Sequence, residues 1–193
     1  MLRDEPTSWP VVGTRDIHRD DWVVAVREDQ VTVPEGGKPF GRLVIEHPGA
    51  VAVLAIDDQD RVLVVRQYRH SVQANVVEIP AGLLDTVGES ALETAQRELQ
   101  EEAGYAADTW THLLTTLVSP GMTNQVFHFF LARDLIEIGH GDFVLEHEEA
   151  YMTREWVPFP DLLNAVLAGD ARNGATATAA LTYAVRRARG ELG

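Results

Sequence analysis

The chain has 193 residues, 45% of them hydrophobic, and a formal net charge of −14 from 30 acidic and 16 basic side chains. Such a length suits one compact domain, or one with a small appendage, and it can bury a real core. The charge argues against partners that are nucleic acids or anionic membranes, and no cysteine is present to form a disulfide, a thiolate metal site or a nucleophile. A reducing cytoplasm is the default setting. The longest apolar run, Ala50 to Ile56, is far too short to cross a bilayer, and the N-terminus lacks a basic segment followed by an apolar one.

Along the chain, the alternating, β-branched run from Val23 to Val33, the turn residues Pro34-Glu35-Gly36-Gly37 and the extended run Arg42 to Glu46 predict a hairpin ahead of the main domain. Gly49 to Ile56, a turn at Asp57 to Asp60, and Val62 to Tyr68 predict a second hairpin of buried central strands. Val76 to Ile79 reads as a short strand ended by Pro80. A glycine loop then runs from Gly82 into a helix with Gly104 as its left-handed stop. Strands follow near Trp110 to Val118 and Val126 to Ala132, then an acidic loop through Glu146 to Glu149, and a strand at Glu155 to Val157. Two helices close the chain, Pro160 to Ala168 and about Ala175 to Arg189, the second ending in the basic cluster Arg186-Arg187-Ala188-Arg189. The pattern predicts an α/β fold, an α/β/α sandwich with a mixed sheet, preceded by a small antiparallel β segment over residues 1–47, with the main domain at 48–193.

The helix after Gly82 carries the chemistry. Glu98, Glu101 and Glu102 stand at i, i+3 and i+4 on one face, while Leu92, Ala95, Leu99 and Ala103 form a separate apolar stripe. Carboxylates spaced this way repel one another, and a hard divalent cation such as Mg²⁺ is a natural compensation. An acidic chain acting on a polyanion needs such a cationic bridge.

From Gly82 the sequence runs through six residues to Glu89, through seven more to Arg97-Glu98-Leu99-Gln100-Glu101-Glu102-Ala103-Gly104-Tyr105. This resembles the Nudix box, which has five residues rather than six in its first gap. The extra residue falls in the loop before Glu89, where an insertion is absorbed more readily than in a helix. Outside the box, Arg66-Gln67-Tyr68-Arg69, the lead-in Val77-Glu78-Ile79-Pro80-Ala81-Gly82, the loop Ser119-Pro120-Gly121-Met122-Thr123-Asn124 and Glu146-His147-Glu148-Glu149 are similar to features of the ADP-ribose pyrophosphatase subfamily.

The resemblance implies a Nudix fold and Mg²⁺-dependent hydrolysis of ADP-ribose to AMP and ribose 5-phosphate, with Mn²⁺ as a substitute ion. It implies Glu98 and Glu102 as metal ligands, Glu101 sharing a metal, and the carbonyl of Ala81 completing a site. Arg97, placed on another side of the helix, would orient a glutamate or brace the loop. Glu148 is the family-matched general base, with an exposed loop acid as the alternative reading and His147 as a weaker base. Arg69, Glu78, Gly82, Pro120 and Gly121 are candidate substrate contacts. Trp22 is a platform for adenine or a core or interface tryptophan, and Arg42 a phosphate contact or one half of a surface ion pair. The N-terminal segment implies a homodimer, since an isolated hairpin is marginal in water. Two other functions fit the same residues: a broader nucleoside diphosphate sugar or nucleotide pyrophosphatase, and a non-catalytic module that senses ADP-ribose.

Overall fold

Residues 2–20, 24–141 and 147–192 are described by the computed structural model. They divide into two units, residues 1–49 with 117–126, and residues 50–116 with 127–193.

In the first unit, β1 (Val11–His18), β2 (Ala25–Val31) and β3 (Phe40–Glu46) form one antiparallel sheet in that order. β2 and β3 are the predicted first hairpin, paired without a break from Ala25–Glu46 to Val31–Phe40. β1 was not predicted, because Val11-Val12-Gly13-Thr14-Arg15-Asp16-Ile17-His18 does not alternate, and its pairing with β2 shifts register twice. All of β1 is exposed, whereas Asp29 of β2 is buried and accepts from the Thr14 hydroxyl at 2.9 Å and from Arg27 Nε at 3.1 Å. The Ser119-Pro120-Gly121 loop belongs to this unit: the Ile45 amide donates to the Met122 carbonyl at 2.7 Å and the His47 amide to Asn124 Oδ1 at 2.8 Å.

The second unit is built on two sheets. β4 (Ala50–Ala55) lies between β7 (Ala81–Leu83) and β9 (Val126–Glu137), and β8 (Tyr105–Leu117) lies beyond β9; β5 (Arg61–Arg69) lies between β10 (Thr153–Pro158) and β6 (Ala74–Glu78). The first of these sheets is mixed, since β4 runs parallel to β9 and antiparallel to β7. The predicted second hairpin needs correction here. β4 and β5 share only the Ile56–Val62 bridge at the Asp57 turn and then part into different sheets, as apolar strands do when each is needed as the centre of its own sheet.

Every residue of β4 is buried, and alternation sends its side chains to two cores. Ala52 and Leu54 join Phe159, Leu162, Ala179, Ala180 and Tyr183 from α2 (Phe159–Ala168) and α3 (Gly174–Ala188). Val51, Val53 and Ala55 join Ala95, Leu99 and Ala103 from α1 (Ala91–Ala103). Helices therefore cover both faces of this strand, the predicted layering. Leu92 departs from the expected apolar stripe, being 36% exposed. Asn173 caps α3 by accepting from the Thr176 amide at 2.9 Å, and Arg186 and Arg187 fall in its last turn. Among the described residues no helix is long and apolar enough to cross a membrane.

Candidate active site

The site grows from the start of α1. Ser90 and Glu93 form a reciprocal capping box, the Ser90 amide donating to Glu93 Oε2 at 2.8 Å and the Glu93 amide to Ser90 Oγ at 3.3 Å. The Ser90-x-x-Glu93 spacing is the sequence signal of this cap. One turn on, the Thr94 hydroxyl, fully buried, donates to Glu89 Oε2 at 3.0 Å. Glu89 therefore reaches the helix despite the extra loop residue, and Gly88, at φ 92°, makes the left-handed turn that delivers it.

Arg97 is the hub. Its Nε donates to Glu89 Oε1 at 3.1 Å, and its Nη1 to Glu98 Oε1 at 2.8 Å and to Glu101 Oε2 at 2.9 Å. The expected separation of Arg97 from the carboxylates thus needs correction: its long side chain folds back over the helix surface, and Glu101 is its i+4 neighbour. Its guanidinium holds the Glu89 carboxyl below the usual carboxylate range.

Glu98 and Glu102 meet β7. A Cβ on Gly82 would stand 2.0 Å from Glu98 Cδ, so the carboxylate fills the space that any larger residue at 82 would need. Glu102, buried, accepts from the Ala81 amide at 2.9 Å. Ala81 itself is held opposite Ala52 in the β4–β7 ladder. Burial pushes the Glu98 carboxyl up to about 7, the neighbouring Glu101 and Asp85 charges add to the rise, and Arg97 opposes it. Three carboxylates, Glu89, Glu98 and Glu101, thus gather around one guanidinium, and Glu102 follows Glu101 on the same helix. Their hard oxygen donors, with an excess of negative charge, fit a divalent cation of the Mg²⁺ type. Among the described residues no three ligating side chains already form an open cage, because Arg97 holds Glu98 and Glu101; a cation would take over that guanidinium's place at them.

The remaining candidates divide. Arg69 and Glu78 are partners, Nε to Oε1 at 2.9 Å and Nη2 to Oε2 at 2.6 Å, so the fork expected at substrate grips a buried carboxylate. Val65 lies opposite Glu78, which puts Arg69, four residues along the strand, on the same sheet face as that carboxylate. Glu148 is exposed, and no hydrogen bond or ion pair ties its carboxylate to another described residue; its carbonyl accepts from the Tyr151 amide at 3.2 Å, following a left-handed His147 at φ 48°. In the other unit, the Arg42 guanidinium lies 4.4 Å from the Phe40 ring centroid, and Pro120 and Gly121 sit in the turn closed by the Met122 amide on Ser119. Trp22 lies outside the described residues. A recess of about 280 Å³ opens on another flank of α1, lined by Gln96, Arg97, Gln100, Tyr105 and Trp110 among others. It is not where Glu98 and Glu102 gather, and we take the carboxylates over β7 as the site because the charge and the close approach to Gly82 are there.

The strand, loop and helix from β7 through Glu89 to α1 set clustered carboxylates against a glycine, and the NUDIX domain model matches residues 46–179. The chain belongs to the Nudix family. It is 42% identical over 151 residues to an ADP-ribose pyrophosphatase of Mycobacterium tuberculosis, an alignment covering 78% of this chain and 72% of that protein. It is also 42% identical over 113 residues to an ADP-ribose pyrophosphatase of Bacillus subtilis, covering 58% and 60% respectively. A crystal structure of an ADP compounds hydrolase superposes with a TM-score of 0.78 over 98% of this chain and 100% of that one; at 20% identity this likeness concerns the fold.

Proposed function

We propose that the chain hydrolyses the diphosphate bond of ADP-ribose to AMP and ribose 5-phosphate with Mg²⁺, Mn²⁺ serving as a substitute, in the cytoplasm. The observation that carries this reading is the carboxylate cluster itself, Glu98 seated on Gly82 and Glu102 on the Ala81 amide. The two relatives named as ADP-ribose pyrophosphatases support the choice of substrate. Glu98, Glu101 and Glu102, with the Ala81 carbonyl, would hold the metal, which when bound neutralises charge on the diphosphate oxygens. Arg97 orients Glu98 and Glu101 and ties them to Glu89. Glu148 takes the proton of the attacking water, a role open to a carboxylate with no described partner. Arg69, set by Glu78, and Gly82, Arg42, Trp22, Pro120 and Gly121 are assigned to substrate.

We further propose a homodimer in which residues 1–47 pack on the second subunit. The sheet-edge strand β1 exposes Val11, Val12 and Ile17 at 55%, 59% and 51%, apolar surface that a partner would cover.

The test is hydrolysis with Mg²⁺ in ¹⁸O-labelled water, with mass analysis of both products, on ADP-ribose, ADP-glucose, GDP-mannose and 8-oxo-dGTP. Preference for ADP-ribose by about tenfold or more in kcat/KM supports the assignment. Equal rates on the sugar nucleotides would make it a broader pyrophosphatase, and binding without cleavage would make it a sensor.

A further inference from the structure

The C-terminal end of α1 is fastened by residues that the proposed reaction does not yet use. Gly104 ends the helix at φ 80°, and its carbonyl accepts from the Ile138 and Gly139 amides at 2.9 and 3.0 Å. Next to it, His140 Nδ1 meets the Glu101 carbonyl at 2.8 Å, and Arg154 Nη1 donates to the Ala103 carbonyl at 3.3 Å and to His140 Nε2. A guanidinium only donates and a carbonyl only accepts. One tautomer therefore satisfies both contacts, with Nε2 bare and Nδ1–H donating to Glu101. The imidazole lies against Gly104, where a Cβ would be 3.5 Å from the ring. Last-turn carbonyls lack intrahelical partners and carry the negative end of the helix dipole, so a cation and an N–H donor are well placed here.

The two residues flank the acidic segment in the chain. His140 precedes Glu148 and Arg154 follows it. On the far side the backbone is pinned as well, since Met152 is buried and Arg154 is paired with Val65 in the β10–β5 ladder. Both ends of the stretch that carries Glu148 are thus tied, through one imidazole–guanidinium contact, to the helix that carries Glu98, Glu101 and Glu102.

We propose that His140 and Arg154 are positioning residues for Glu148: by clamping both ends of its segment to the end of α1, they set where that carboxylate stands relative to the helix carboxylates. This rests on the reading of the chain as a pyrophosphatase with Glu148 as its base. A cap that served only the helix would change stability and act on the rate regardless of Glu148.

The experiment is a mutant cycle on the full chain, with kcat, KM for ADP-ribose and half-saturating Mg²⁺ measured for His140→Ala, Glu148→Gln and the double variant. His140→Ala is expected to lower kcat roughly tenfold or more, since small misplacements of a reacting group are costly, with KM and the Mg²⁺ midpoint within about threefold. In the Glu148→Gln background it is expected to lower kcat no further. His140→Asn, whose amide nitrogen can stand where Nδ1 does, is expected to recover most of the rate. A parental rate in His140→Ala, or its full loss repeated in the Glu148→Gln background, overturns the proposal. Should His140→Ala fail to fold, Arg154→Lys takes its place in the same cycle under the same criteria. A parental rate in Glu148→Gln alone removes the base and this proposal with it, whereas a slow Glu148→Gln beside a parental His140→Ala leaves the base standing and overturns only the clamp.

Discussion

The carboxylate of Glu98 occupies the space above the α-carbon of Gly82, so that a Cβ there would lie 2.0 Å from Glu98 Cδ and 2.1 Å from Oε1. The loop glycine and the helix glutamate are therefore one structural unit. Gly82→Ala is expected to push the carboxylate aside, costing about 1–3 kcal/mol of stability as an overpacking change. Turnover should fall about 100-fold, as for other small displacements of reacting groups. Thermal unfolding and kcat on ADP-ribose check this, and parental turnover would detach Glu98 from the chemistry.

Glu102→Gln keeps an oxygen that can accept from the Ala81 amide but removes a negative charge from the cluster. The fold should survive while Mg²⁺-dependent turnover drops by about two orders of magnitude, the scale seen when one stabilising group is lost from a site. A Mg²⁺ titration of activity, beside the melting temperature of the ion-free protein, separates the two effects. Normal Mg²⁺-dependent turnover would remove Glu102 from the metal.

The Glu98 carboxyl, raised by burial from its ordinary 4.5 to about 7, makes stability depend on pH with a definite sign. The folded state holds this proton more tightly than the unfolded state. Its contribution is fully present below the unfolded value and is lost as pH rises through about 7. Ion-free protein should therefore lose stability from this group as pH rises from about 4.5 through about 7. Divalent metal must displace the proton, so its apparent affinity should rise across the same range. Urea melts at several pH values, with and without Mg²⁺, read both trends; a flat Mg²⁺ affinity would count against Glu98 as a ligand.

Arg97→Gln removes the single guanidinium that links Glu89, Glu98 and Glu101. With partly buried carboxylates left facing one another, the ion-free protein should melt at a lower temperature than the parent. Added Mg²⁺ should raise the melting temperature of this variant more than that of the parent, because the ion meets charge that the arginine no longer neutralises. Equal shifts in both proteins would show that Arg97 and the metal do not share these carboxylates.

Much of the fold was legible because its signals are local. Periodicity located the β2–β3 hairpin, the apolar strands β4 and β5, and all three helices, and Gly104 marked the end of α1 through the left-handed conformation that glycine adopts freely. β1 escaped because it is exposed throughout and bulged, so it carries no buried face to imprint a period of two. The hairpin assumed for β4 and β5 failed for a different reason. β4 throughout and β5 from Val62 to Val65 are apolar and buried on both faces, and such runs record burial without recording which neighbour provides it.

At the site, sequence spacing by itself determined that Glu98, Glu101 and Glu102 would lie within reach of one another, because helical geometry turns i, i+3 and i+4 into neighbours. It likewise singled out Gly82, Glu89 and Arg97 by their place in one motif. Only the tertiary structure decided what each of these groups touches: that Arg97 folds back to three carboxylates, that Arg69 is gripped by Glu78, and that His140 and Arg154 close the end of α1. The physical reason is one of range. Helix periodicity acts over a few residues of chain, whereas the partners of a long charged side chain are chosen by whichever opposite charges or carbonyls packing brings within about 3 Å, the reach of a hydrogen bond, from anywhere in the sequence.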